Sequence, residues 1–136
     1  MFVISRKGVH AVTNISWFFL KRLHERQNMH FDTYQEESAK TAIYPRGVGL
    51  MYVSLGLVGE CGEIANKVKK VIRDNDGLLT ESKQSEIAAE LGDVLWYLSQ
   101  LATELEVSLD AVAEENLSKL KDRQKRNVLG GSGDKR

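Results

Sequence analysis

The sequence predicts an all-α fold, a bundle of about four core helices, and three observations carry that prediction. Among 136 residues there is one proline, Pro45, so long stretches run without a helix breaker. Apolar residues recur at helical spacing: Ile87, Leu91, Val94, Leu98, Leu101 and Leu105 advance by fours and threes. Two acidic pairs, Glu60 with Glu63 and Glu90 with Asp93, sit inside such stretches three residues apart. At that spacing both members of a pair lie on one side of a helix.

Each element follows from local signals. Residues 1–30 form a loosely attached N-terminal extension, in which the apolar run from Val9 to Leu20 is too short and too polar for a membrane span. The run ends in Leu20-Lys21-Arg22 rather than the small residues of a signal cleavage site, and Met29 can itself open a self-sufficient domain. Asp32 with Gln35 has the spacing of a capping box, opening a helix that runs through Ala42 and stops before Pro45. Tyr44-Pro45-Arg46-Gly47 is a turn. Leu50 to Val58 is almost continuously apolar and flows at helical spacing into Ile64, Val68, Val71 and Ile72, so one helix runs to Arg73 or Asp74.

Residues 75–84 are polar around a Leu78-Leu79 anchor. A helix from Ser85 to Glu106 carries the apolar stripe, with a polar stripe of Glu86, Glu90, Asp93, Tyr97, Gln100 and Glu104 beside it. Ser108 caps a last helix from Leu109 to about Arg126. The helical domain is thus residues 31–129, and residues 130–136 form a flexible Gly-rich tail.

Composition excludes several function classes. Nineteen basic and nineteen acidic residues balance, which gives no electrostatic case for nucleic acid or an anionic membrane as partner. The single cysteine, Cys61, rules out an internal disulfide framework and a multi-cysteine zinc site, and suits the cytoplasm. His10, His24 and His30 show no ligand spacing and are assigned no role.

If the two acid-bearing helices pack side by side, four carboxylates meet and repel, and a divalent cation is the usual remedy. The apolar run before Glu60 implies a helix covered on several sides there. Gly56, Gly59, Gly62 and Gly92 each cost a helix about 1 kcal/mol relative to Ala, tolerable where backbones must approach closely around a small site. Taken alone, each pair also fits a solvated helix face, with Glu63 and Lys67 as an ordinary i,i+4 ion pair.

The words Leu57-Val58-Gly59-Glu60-Cys61-Gly62-Glu63 and Glu90-Leu91-Gly92-Asp93-Val94-Leu95-Trp96-Tyr97-Leu98 resemble the MazG-type all-α nucleoside triphosphate pyrophosphohydrolases, across about residues 31–127. The resemblance implies a homodimer or homotetramer with Mg²⁺, or Mn²⁺ as substitute, held by Glu60, Glu63, Glu90 and Asp93. It implies cleavage of nucleoside triphosphates to monophosphate and pyrophosphate, in nucleotide-pool house-cleaning, with Glu60 or Glu63 as base toward the attacking water. It places Tyr97 near the nucleotide and Lys119 and Arg123 on its phosphates. Lys67 and Lys70 follow the acids on the same helix face, where they either meet phosphates or are solvated, and Trp17 and Trp96 read as packing residues. Two alternatives stand beside it: a phosphoribosyl-ATP pyrophosphatase, or a non-catalytic helical dimerisation or nucleotide-binding module.

Overall fold

Four α-helices account for nearly all of the regular structure in a computed structural model that describes residues 2–3 and 29–130. In order they are α1 (Phe31–Ala39), α2 (Gly49–Asp74), α3 (Glu81–Glu104) and α4 (Leu109–Lys125), with a single 3₁₀ turn, Arg46–Val48, before α2. A two-stranded antiparallel ribbon joins β1 (Phe2–Val3) to β2 (Leu78–Leu79), pairing Phe2 with Leu79 and Val3 with Leu78. The all-α expectation therefore holds. The apolar run Val9–Leu20, with Trp17, His10 and His24, lies outside the described residues, as does the tail beyond Gly130.

Helices α2 and α3 run antiparallel and form the main packing unit, with α1 against α3 and α4 against α1. Gly49 meets Glu104 at one end and Gly56 meets Tyr97 further along. Val53 and Val71 are fully buried in this seam, and between them the half-buried face of α2 passes through Leu57, Glu60, Ile64 and Lys67. Facing it is the polar stripe of α3, centred on Gln100, which is fully buried. The apolar stripe of α3 lies to the outside: Leu91, Leu98 and Leu105 are exposed. So are Leu55 and Val58 of α2, which corrects the expectation that this helix is covered on several sides. The stretch Arg46–Asp74 is long and apolar enough to cross a membrane by length and composition alone.

The interior between α1 and α3 is polar as well. Ser38 and Ser99, both buried, share a hydrogen bond of 3.0 Å between their hydroxyls, and Gln100 Nε2 donates to Ser38 Oγ at 3.0 Å. Small hydroxyl side chains let the two helices approach, and each buried polar group then needs a partner from the other helix.

The start of α1 differs from its expected capping box. The N-cap is His30, with no side-chain bond, and the helix ends at Ala39 rather than Ala42 because the following amides tighten to i−3 acceptors. Asp32 and Gln35 serve the other end of the chain. The Asp32 carboxylate accepts from the Asp110 amide at 3.0 Å and from the Ser108 hydroxyl at 2.8 Å. Asp110 returns the bond, accepting from the amides of Phe31 and Asp32 at 3.2 and 3.4 Å. Gln35 accepts from the Leu109 amide at 2.9 Å and donates to the Val107 carbonyl at 3.0 Å. Each helix thus supplies the acid that satisfies the other's unpaired first-turn amides. Ser108 also caps α4 as expected, accepting from the Ala111 amide.

Helix α3 begins four residues before the expected Ser85, because Thr80 is an N-cap that accepts from the Lys83 amide. It ends at Glu104, two residues early. Glu106 there adopts φ 56°, Val107 N–H reaches the Ala102 carbonyl and Glu106 N–H reaches Thr103. That is a left-handed helix stop with a glutamate where glycine is usual.

The reciprocal clasp has a pH signature. The Asp110 amide first, then the Ser108 hydroxyl, holds the Asp32 carboxyl below its ordinary value. A carboxyl depressed by folding stabilises the fold above its unfolded pKa, and that contribution is lost as pH falls through the folded value. The thermal midpoint should therefore fall as pH drops below about 4, and fall less in Asp32→Ala. Equal declines in both proteins would contradict the clasp.

Candidate functional site

Three of the four expected acids come together. Glu60 of α2 and Glu90 and Asp93 of α3 place one carboxylate oxygen each within 4.8 Å of one another. The reason is register. Glu60 lies on the face of α2 that meets α3, and Glu90 and Asp93 lie on the stripe of α3 that answers it. Glu63 is exposed and does not join the trio, because three residues of helix rotate it about 60° off Glu60's line toward solvent. It stays near enough to act on Glu60 through charge. Burial, then Asp93, Glu90 and Glu63 in that order, pushes the Glu60 carboxyl above its ordinary value.

Lys67 is placed differently from expectation. Its ammonium lies 3.3 Å from Glu90 across the helix pair, rather than pairing with Glu63 one turn back. Both side chains are largely covered there, so the cation partly offsets the cluster's negative charge. A trio of carboxylates with no sulfur or imidazole in the set offers the oxygen ligands that a hard divalent cation takes.

Beside the trio runs a groove of about 420 Å³ lined by Thr41, Glu60, Asp93, Trp96 and Tyr97. Tyr97 is held against the backbone of α2: a Cβ on Gly56 would come within 2.1 Å of its ring. Gly56 is therefore a close-approach glycine as expected, whereas a Cβ on Gly59, Gly62 or Gly92 would meet nothing within 4 Å. Burial first, then Tyr52 and Glu60, raises the Tyr97 hydroxyl pKa.

Trp96 extends the groove in a way the sequence reading missed. Its ring meets Tyr97 edge-on at 4.9 Å and Tyr44 edge-on at 6.3 Å, and Tyr44 stacks on Tyr52 at 5.3 Å. The Tyr44 hydroxyl donates to Glu104 at 2.8 Å and is pushed up to about 12 by burial and then by that bond. Four aromatic rings thus form one cluster, of which Trp96 and Tyr97 line the groove. The adjacent pair Trp96-Tyr97, directly after the acid word, was the available signal. Thr41, a polar residue in a loop, gave none.

Lys119 and Arg123 are not brought to this groove. They stand on α4, which packs against α1; Lys119 is exposed and Arg123 is buried.

These features define a class, a helical protein whose two central helices hold a carboxylate cluster beside an aromatic groove. The comparisons give the family. The model of the MazG nucleotide pyrophosphohydrolase domain matches residues 52–128, more than half of the chain, and the chain belongs to that family. It is similar to the Gene 37 protein of Mycobacterium phage L5, with 53% identity over 114 residues, spanning 79% of this chain and 100% of that protein. No solved structure matches the chain.

Proposed function

We propose that this protein is a Mg²⁺-dependent pyrophosphohydrolase that cleaves (deoxy)nucleoside triphosphates to the monophosphate and pyrophosphate, removing surplus or non-standard nucleotides. The observation that carries the reading is the carboxylate trio Glu60, Glu90 and Asp93 opening onto an aromatic groove, in a chain of this family. These three acids would hold the cation, with Glu63 as a fourth from its exposed position beside Glu60; Mn²⁺ is the natural substitute. When bound, Mg²⁺ supplies Lewis-acid polarisation of a phosphoryl oxygen and a position for the attacking water.

The chain's own residues do the rest. Glu60 and Glu63 are the two acids that would accept the proton of that water. Tyr97 and the wall behind it cover the nucleoside. Lys67, 3.3 Å from Glu90, is the basic side chain of the site that would meet a phosphate. No cysteine or serine nucleophile is needed. An exposed free thiol at Cys61 fits a cytoplasmic setting.

The active unit is a homo-oligomer, dimer or tetramer. Leu55 is 70% exposed, Val58 72%, Leu91 59% and Leu105 53%. Covering such side chains is worth about 25 cal/mol per Å², and a second copy offers the same apolar surface. Lys119 and Arg123 serve as triphosphate contacts in this reading only if a second chain brings them to a groove.

Two experiments test these points. Pyrophosphate release from a nucleoside triphosphate panel should require Mg²⁺, stop with chelator, and fall at least about a hundredfold in Glu60→Gln, Glu90→Gln or Asp93→Asn. Folded protein without turnover on any of them would turn the reading toward phosphoribosyl-ATP or a non-catalytic role. Sedimentation equilibrium should give the mass of two or four chains; a single-chain mass at micromolar concentration rejects the oligomer.

A further inference from the structure

Thr41 lies just beyond the end of α1, where it lines the groove beside Glu60, Asp93, Trp96 and Tyr97. Two hydrogen bonds fix its hydroxyl. Oγ1 donates to the Ser38 carbonyl at 2.7 Å and accepts from the indole Nε1 of Trp96 at 2.8 Å. A hydroxyl has one hydrogen and two lone pairs, and an indole N–H can only donate. The hydrogen of Thr41 is therefore committed to the backbone and one lone pair to Trp96. What remains for a ligand is a single lone pair.

The other polar groups lining the groove have the same character. The only N–H of the Trp96 ring is the one held by Thr41. Glu60 and Asp93 carry no hydrogen when ionised, and in the proposed function their oxygens face the cation rather than the base. The Tyr97 hydroxyl lies close enough to Tyr52 to feel its charge. At the Thr41–Trp96 end, the groove therefore offers a ligand a lone pair and no free hydrogen.

We infer that Thr41, oriented by Trp96 and Ser38, is a specificity residue that selects nucleotides whose base carries an exocyclic amino group over those with a keto oxygen at that position. An amino group there offers two hydrogens to the waiting lone pair. A keto oxygen puts lone pair against lone pair, and Thr41 can turn its hydrogen toward it only by giving up its bond to the Ser38 carbonyl, which then keeps the Thr41 amide alone. The inference rests on the pyrophosphohydrolase reading and narrows its substrates to the cytosine and adenine class rather than the uracil and hypoxanthine class.

The test is pyrophosphate release by the full chain with Mg²⁺, comparing kcat/KM within two pairs, dCTP against dUTP and dATP against dITP. Members of each pair differ in the amino or keto group and the adjoining ring nitrogen. Wild type should favour the amino member of both pairs by at least about tenfold. Thr41→Val, which keeps the volume and removes the hydroxyl, should bring both ratios to within about threefold of unity, and Thr41→Ser should keep the preference. Turnover with no amino preference in wild type overturns the inference and leaves the pyrophosphohydrolase standing, whether or not the valine variant folds. A preference unchanged in Thr41→Val overturns it as well. Absence of turnover on all four nucleotides removes the underlying reading, and this inference with it.

Discussion

The structure depends on how α2 meets α3. Two central helices of a small domain usually bury their most apolar faces against each other. Here the shared face is largely polar on the α3 side: Glu90, Tyr97, Gln100 and Glu104 point into the seam, and Lys67 crosses it to reach Glu90. A seam of that kind is stable only when its polar groups find partners, and most do. Glu104 takes the Tyr44 hydroxyl, and Gln100 reaches Ser38 through Nε2 while its buried Oε1 has no hydrogen-bond partner. The carboxylate trio is the larger exception. Its like charges push the Glu60 carboxyl upward, and Lys67 alone among the described residues bridges to it. An arrangement that concentrates negative charge beside a groove is held by the rest of the fold, against the repulsion of its own acids.

Two other features follow from that choice. With polar residues facing inward, the leucines of α3 face outward, at the heptad-like positions Leu91, Leu98 and Leu105. The apolar surface that would ordinarily make a monomer's core is displaced to its exterior, which is where an assembly would use it. Meanwhile the short helix α1 buries only Ser38. Its position rests on the Ser38–Ser99 contact, the Trp96–Thr41 bond and the reciprocal clasp with α4. Since Ser38 and Thr41 both belong to this set, the docking of α1 also shapes the groove.

Spacing made the helices and three of the acids legible. Glu60, Glu90 and Asp93 were found because their intervals match the faces that pack, and Ser108 because a cap beside an apolar run is a local signal. The rest depends on contacts between distant segments. Asp32 and Gln35 carry the intervals of a capping box, yet they cap α4, and no interval within α1 reveals that. Lys67 sits four residues after Glu63, and the choice of Glu90 instead is made across the seam. The rotation that leaves Glu63 at the surface depends on which line of α2 faces α3, and a continuous apolar run hides that line. Thr80 was overlooked as a cap because the residues after it are polar. Thr41 and Trp96 become a pair only once α1 is laid against α3.

The central claim is that Glu60, Glu90 and Asp93 form one cation site across two helices. The most direct measurement is the thermal midpoint as a function of Mg²⁺ concentration, for wild type, Glu90→Gln and Asp93→Asn, with Ca²⁺-free buffer and constant ionic strength. A cation bound only by the folded state raises the midpoint progressively, by about 2.7 kcal/mol of stability at a hundred times its dissociation constant. The account predicts that rise in wild type and a flat response in both variants. A wild-type midpoint indifferent to Mg²⁺, or one that rises equally in all three proteins, would contradict it.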